Sequence, residues 1–429
     1  MSSPSTSIPS LHTIDHARIF TGGRFVPGSI RIRDGRIEAV IPEETHNTYD
    51  IPDPNGRLDA QGCLVIPGLI DLHFHGCMGA DFCDGTEEAL HTIASYELQA
   101  GVTSICPAML TLPADSLKKT LALAAEHARS QQDLTVSASA SYDRAAQTPP
   151  ASAQATADSF YGPEAMEADL VGVNMEGPFI SHVKKGAQNE KYILPCDAGL
   201  CREFYEASGG LLKIIGLAPE ESPDFEEYIR QVSQFVKVSL AHTNADYDTA
   251  RRAFEAGAGH VVHLFNAMPE LMHRAPGVVG AALDSPGVFV ELICDGNHMH
   301  HSLTRAAYRM FESRVVMISD SLRATGLGDG EMDLGGQKVI VRGRLAALAE
   351  GGAMAGSVSN LMQCLQTAVL QIGIPLETAV ESATYAPARA LGIENSRGRI
   401  APGCLADLVM LDDQLNVVSV IKSGRIVRR

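Results

Sequence analysis

The strongest constraint on this chain is the regular alternation of short apolar runs with helical patterns through its middle. Strand-like runs recur at 69–72, 102–107, 172–175, 212–217, 236–240, 260–265, 288–294 and 315–319. Each has the near-continuous apolar character of a strand buried on both faces, as in parallel sheets. Several are followed by amphipathic stretches, such as 87–100 closed by Gly101 and 246–256 closed by Gly257, and a glycine just past the last periodic residue is a helix stop. Eight units of this kind predict an α/β fold of the TIM-like (β/α)8 barrel type. A doubly wound, dinucleotide-binding sheet fits less well, because no G-x-G-x-x-G follows the first strand. A barrel uses roughly 250 residues. The chain has 429, which leaves material for a second unit.

That material lies at the two ends. Residues 1–66 read as short strands at 17–20, 29–33, 36–41 and 63–66, with hairpin-type turns at Gly22-Gly23 and Asp34-Gly35. Similar runs return at 407–411, 417–421 and 425–427. Neither end can bury a core alone, so both are expected to join in one small split β-sandwich domain, 1–66 with 396–429, the barrel of 67–395 being inserted between them. Two inserts interrupt the pattern, near 130–160 and 331–346. The first, rich in Ala, Ser and Gln with Pro149-Pro150 inside it, reads as a mobile surface excursion. Within the second, 337–346 alternates like a hairpin turning at Gly343 and is expected to pack on the small β domain.

Composition narrows the partners. A formal net charge of −17 argues against nucleic acid or an anionic membrane, so an anionic ligand must be held by local donors. Nine scattered cysteines form no disulfide framework. The opening MSSPSTSIPS lacks a basic-then-apolar signal, and no run approaches the ~20 apolar residues of a membrane span. A cytoplasmic protein is expected.

The chemistry concentrates at strand ends, where a β/α barrel builds its active site. The segment PGLIDLHFHG, 67–76, ends its strand in His73 and His75, and alternate side chains of an extended strand share a face. Later strand ends supply Glu176, His242, His263 and Asp320. Any one of these is equally explained by a hydrogen-bonded core histidine or a carboxylate capping a helix. Together they are the donor set of a borderline divalent cation, with Asp320 either a ligand or a base.

These segments carry a resemblance. PGLIDLHFHG, GVTSICPAML, NMEGPFIS with KKGAQN behind it, GLAPE, AHTNA, HLFNAM, RAPGVVGAALD, ICDGNHMH, ISDS and GRIAPGCLADLVMLD resemble the amidohydrolase superfamily and, within it, the N-acetylglucosamine-6-phosphate deacetylase family. The resemblance implies a distorted barrel with a split β domain and metal-dependent removal of acetate from an amino-sugar 6-phosphate, in amino-sugar catabolism or cell-wall recycling. It implies that Glu176, His242 and His263 hold one metal, and that His73 and His75 add a second with Glu176 bridging. One or two divalent ions per subunit are therefore expected, zinc first, with iron, manganese or cobalt as the other candidates. Asp320 becomes the general base. Gln188 stands where the family has a histidine that orients the acetyl carbonyl, which puts that role in doubt. The phosphate would be met by Asn266, the backbone of Ala267, His298 and Arg274, the arginine arriving from a neighbouring subunit of a homodimer. No lysine ends the third strand, which disfavours relatives that bridge metals with a carbamylated lysine. The alternatives are the galactosamine epimer, a D-aminoacylase-like enzyme for an unphosphorylated N-acyl substrate, and a non-catalytic scaffold, which would not need all six strand-end residues. His301 is read as the start of a surface helix, His300 is given little weight beside it, His273 either helps with the phosphate or is solvated, Cys77 is read as packed, and His260 is set aside because it precedes its strand.

Overall fold

A computed structural model describes residues 11–45, 56–145 and 166–428, with the backbone alone for 132–145. Eight parallel strands follow one another in chain order: Leu69–Asp71, Val102–Ile105, Val173–Phe179, Leu212–Leu217, Lys237–Leu240, His260–Val261, Phe289–Ile293 and Val315–Ile318. Each pairs with its successor, the second reaching the third through Ala108–Met109. The ring closes where the eighth strand meets the first: Asp320 N–H donates to the His73 carbonyl at 3.0 Å and His75 N–H to the Ser321 carbonyl at 2.7 Å. Side chains from strands far apart in the ring, Cys106 just after the second, Ile214 on the fourth and Ile293 on the seventh, join one buried cluster, as expected of a filled barrel. The predicted helices form at Glu87–Gln99 and Tyr247–Ala256, N-capped by the side chains of Thr86 and Asp246.

The sixth strand is shorter than the apolar run 260–265 suggests. The chain leaves the sheet after Val261 because His263 and Phe265 take positive φ, 26° and 75°. That turn, which ordinary residues adopt at a cost, aims His263 across the barrel mouth. Close backbone approach sets two other positions. A Cβ on Gly68 would sit 2.1 Å from Thr103 Oγ1, and one on Gly216 would sit 1.9 Å from the carbonyl of Glu176. Only glycine lets the chain enter the first strand and lets the fourth lie against Glu176.

Both chain ends meet in one eight-stranded sheet. Leu64–Pro67 pairs antiparallel with Leu408–Leu411 on one side and parallel with Thr13–Thr21 on the other. Ile14, Ile19, Ile30, Val65, Leu408 and Ile421 fill its own core. A buried ion network fastens this sheet to the barrel. Lys422 Nζ lies 2.9 Å from Asp407 and 2.6 Å from Asp169, and it also donates to the carbonyl of Thr103 in the second barrel strand. Arg397 meets the same two carboxylates at 3.2 and 2.5 Å.

Both inserts depart from expectation. Residues read as an excursion from 130 onward continue a helix, Ala114–Ala145, whose Leu117, Leu121, Ala124 and Ala128 are buried at the spacing of one apolar face. The remainder, 146–160, lies outside the described residues. The second insert is a three-stranded antiparallel sheet, Gly330–Leu334, Gln337–Arg342 and Leu345–Leu348. It packs at the barrel mouth and not on the terminal sheet, because Val339 and Val341 bury against Leu110 and Leu322 from the loops after the second and eighth strands.

The ion network gives the first expectation. Lys422→Met removes the cation between two buried carboxylates and leaves Arg397 to serve both. We expect a loss of about 3–5 kcal/mol as a shift of the urea midpoint. An unchanged midpoint would show that the network contributes nothing to holding the two sheets together.

Candidate metal centre

The six strand-end residues converge on one buried point. Glu176 Oε1 lies 3.1 Å from Nε2 of His242, 3.1 Å from Nε2 of His263 and 3.3 Å from Nε2 of His73. Its other oxygen, Oε2, lies 3.5 Å from Nε2 of His75. Asp320 Oδ1 closes the ring at 3.4 Å from His75 Nε2 and 3.6 Å from His73 Nε2. The chain holds three of these residues in the left-handed region, with φ of 43° at His242, 26° at His263 and 49° at Asp320. Such strain persists where the surroundings impose it, and it clusters at functional sites.

The outer nitrogens settle which imidazole atoms face inward. His242 Nδ1 donates to the carbonyl of Lys184 at 3.0 Å, His263 Nδ1 to that of Asn266 at 3.2 Å, and His73 Nδ1 to Glu291 Oε2 at 2.7 Å. A ring nitrogen beside an oxygen acceptor carries the proton, so each Nε2 presents a lone pair to the centre. The Nε2 atoms of His242 and His263 then face one another at 3.2 Å, a repulsive arrangement without an electrophile between them. His73 Nε2 is buried with no hydrogen-bond partner among the described residues, which costs free energy unless something takes the lone pair. These donors fit a divalent metal. They form two overlapping triads, His73–His75–Glu176 and Glu176–His242–His263, with ligand atoms within 4.8 Å of one another in each.

Electrostatics follow from burial and these contacts. Burial alone would raise the Glu176 pKa, but the surrounding imidazoles of His242, His263 and His73 overcome it and hold the carboxyl well below its usual range. At Asp320 burial is likewise outweighed, by the neighbouring imidazoles of His75 and His73, and the pKa is lowered. Asp71, behind the first strand, is the opposite case. There burial outweighs its bonds to Ser319 and to the His73 amide, and the pKa rises to about 7.

The remaining predicted residues divide. Gln188 reaches the cluster: its amide N–H donates to Glu176 Oε2 at 2.5 Å, while its oxygen accepts from the Thr111 amide at 2.7 Å. His298 is buried and bonded to Asp295 at 3.0 Å, and that carboxylate raises its pKa against the opposing effect of burial. Asn266 and Ala267 form the turn under His263, Ala267 with φ of 52° and its carbonyl accepting from the Thr243 amide. Arg274 stands apart, exposed and 2.7 Å from the ring of its neighbour His273. Cys77 packs in the core, and His301 opens the helix His301–Phe311 with His300 as its cap.

His260 needs correction. It begins the sixth strand instead of preceding it, and its Nε2 lies 2.8 Å from Glu291 Oε1. Glu291 itself is the residue sequence reasoning missed. Fully buried, it joins His260, His73 and the His263 amide, and these contacts hold its carboxyl far below its usual range in spite of burial. The signal was present in VFVELIC, 288–294: a carboxylate inside a wholly apolar strand must be paired.

A closed β/α barrel with four imidazoles and two carboxylates at the carboxyl ends of its strands defines a metal-dependent hydrolase type of site. The amidohydrolase family model matches residues 64–427, and the chain belongs to that metal-dependent family. It is similar to the N-acetylglucosamine-6-phosphate deacetylase of Bacillus subtilis, 32% identical over 400 residues that cover 93% of this chain and 92% of the relative. The N-acetylgalactosamine-6-phosphate deacetylase of Escherichia coli O157:H7 is 30% identical over 397 residues, covering 92% and 94% of the two chains. Among solved structures, a mutant N-acetyl-D-glucosamine-6-phosphate deacetylase from Mycobacterium smegmatis, in complex with N-acetyl-D-glucosamine-6-phosphate, superposes with a TM-score of 0.83 at 27% identity, covering 98% and 100% of the two chains.

The Glu291 contacts generate a second expectation. Glu291→Gln keeps the shape but removes the charge that orients His73 and makes it basic. Metal affinity should fall about 10–100-fold in a competitive chelator titration. Unaltered affinity would mean that His73 is held by packing alone.

Proposed function

We infer that this chain hydrolyses the acetamide of N-acetylglucosamine 6-phosphate to acetate and glucosamine 6-phosphate. The observation that carries the reading is the pair of ligand triads joined through Glu176, in a chain that aligns nearly end to end with deacetylases of that name. His242, His263 and Glu176 would hold one divalent ion and His73, His75 and Glu176 a second, zinc being the first candidate by donor type. A metal held there would supply a Lewis acid for the amide carbonyl and would lower the pKa of water enough for it to lose a proton near neutral pH.

The chain's own residues do the rest. Asp320, kept ionised and within reach of both His73 and His75, accepts the proton of the attacking water and returns it to the departing amine. Gln188 donates to Glu176 and so positions the bridging carboxylate. His298, its basicity raised by Asp295, is assigned to the phosphate together with Asn266 and the Ala267 backbone. Arg274 is exposed on this chain, which suits a guanidinium that serves the site of a second copy in a homodimer, its planar fork matching phosphate oxygens. We assign 67–395 to the catalytic barrel and 1–66 with 396–429 to the supporting β domain. All nine cysteines are free and no described helix is long and apolar enough to cross a membrane. Free thiols suit a reducing compartment, and we assign the protein to the cytoplasm.

Three measurements test this. Acetate release from metal-loaded protein should be strongest with N-acetylglucosamine 6-phosphate. Preference for the galactosamine isomer would change the epimer, and equal turnover of the unphosphorylated sugar would remove the phosphate assignments. Asp320→Asn should lower kcat about 10²–10⁴-fold with bound metal retained; loss of metal would instead make Asp320 a ligand. Arg274→Ala should raise KM for the phosphorylated sugar about tenfold or more, the scale of a lost charge-assisted hydrogen bond. An unchanged KM would exclude the arginine from the site.

A further inference from the structure

A third group of metal-ligating side chains lies outside the barrel, away from the strand ends. His91 is on the helix Glu87–Gln99, His127 on Ala114–Ala145, and Glu167 just precedes the strand Asp169–Leu170. Their ligand atoms lie within 4.8 Å of one another. His91 Nδ1 is 2.5 Å from Glu167 Oε1, and His127 Nε2 is 3.3 Å from Glu167 Oε2. The two rings stand edge to face at 5.0 Å. His127 is buried while His91 is half exposed, so the group is both built in and open to solvent on one side.

Among the described residues, the buried side of this group brings one amide donor to two acceptors. Gln131 is anchored by the backbone: its oxygen accepts from the Leu170 amide at 3.0 Å and its nitrogen donates to the carbonyl of Ala168 at 3.1 Å. The second N–H of that nitrogen faces two acceptors at once, His127 Nε2 at 3.1 Å and Glu167 Oε2 at 3.4 Å. His127 Nε2 therefore presents a lone pair, and that lone pair meets a carboxylate oxygen at 3.3 Å. One hydrogen shared between two acceptors this close leaves them mutually repulsive. A cation between them removes the conflict. Ligand distances of about 2.0–2.2 Å to zinc put neighbouring donors roughly 3.3–3.5 Å apart, which His127 and Glu167 already satisfy at 3.3 Å; the half-exposed His91 supplies the third donor.

We propose that His91, His127 and Glu167 form a separate structural site for a borderline divalent ion such as Zn²⁺, stapling two outer helices to the strand that pairs with Val102–Ile105. Two imidazoles, one carboxylate and a water complete a tetrahedral shell. The site is independent of the catalytic reading, since none of its residues belongs to the strand-end cluster. The test is equilibrium dialysis of the full-length chain against micromolar Zn²⁺, comparing wild type with His91→Ala, an exposed substitution that leaves the buried face of its helix intact. Glu167→Gln is the second variant, keeping a hydrogen-bond partner for His91 while removing the anionic ligand. Wild type should retain about one equivalent more than either variant, whatever number the barrel mouth holds, and all three should deacetylate alike. Equal metal content in wild type and His91→Ala would overturn the proposal and leave a hydrogen-bonded cluster only.

Discussion

The carboxylate of Glu176 is the interaction on which the site depends. A buried carboxylate is tolerated only when its charge is answered, and here four imidazoles arrive from three other strand ends: His73 and His75 after the first strand, His242 after the fifth, His263 after the sixth. None of these could reach Glu176 in an open sheet. The ring must close, and it closes through the backbone of the same residues, with His73 and His75 hydrogen-bonded to Asp320 and Ser321. The ladder that completes the barrel thus also fixes the distance between the first two histidines and the proposed base.

Behind this centre stands a second layer of charge. Glu291 receives His73, His260 and the His263 amide, so one carboxylate orients ligands from two different strands. With the Nδ1 atoms of His73, His242 and His263 committed outward, their inward Nε2 lone pairs are free to meet a cation. The same logic distinguishes Asp71, whose answering groups are a hydroxyl and an amide and whose carboxyl titrates near neutrality. A carboxyl at the end of the first strand whose pKa is lifted to about 7 adds less negative charge behind the metal centre near neutral pH than an ordinary carboxylate would.

Much of this was legible in the sequence because strand ends are readable. A short apolar run terminated by His-x-His, Glu, His, His and Asp states both where the barrel strands stop and what they present, and all six residues meet. What could not be read were contacts that depend on register and turning. The length of the sixth strand was misjudged because the run 260–265 carries apolar residues on both sides of His263; only the positive φ of His263 and Phe265 shows that the strand ends early. Glu291 was hidden inside an apolar run whose burial was judged and whose single charge was not. The part of the helix Ala114–Ala145 beyond 130 was taken for a surface excursion because its residues are small and polar, although the first half of that helix carries a clear apolar face. Arg274 was assigned by resemblance alone, and on this chain it is an exposed arginine paired with His273.

The three-stranded insert shows how the barrel mouth gains definition beyond the strand ends. Its apolar face is seated on Leu110 and Leu322, which ties it to the loops of the second and eighth strands. Its polar atoms then reach two further loops. Gln337 donates to the carbonyl of Ala187, next to Gln188, and Arg344 donates to the carbonyl of Asp295 and to Ser359 while its own carbonyl accepts from Asn297. The loop carrying Gln188 and the loop carrying His298 are therefore braced by one small sheet. Loops at a barrel mouth are the variable part of such a fold, and a site that must hold an acetamide at one end and a phosphate at the other needs both ends fixed relative to each other. An antiparallel sheet anchored by its own buried face supplies that fixed reference, and it explains why an insert with no ligand of its own sits where the chemistry is and not on the distant terminal sheet.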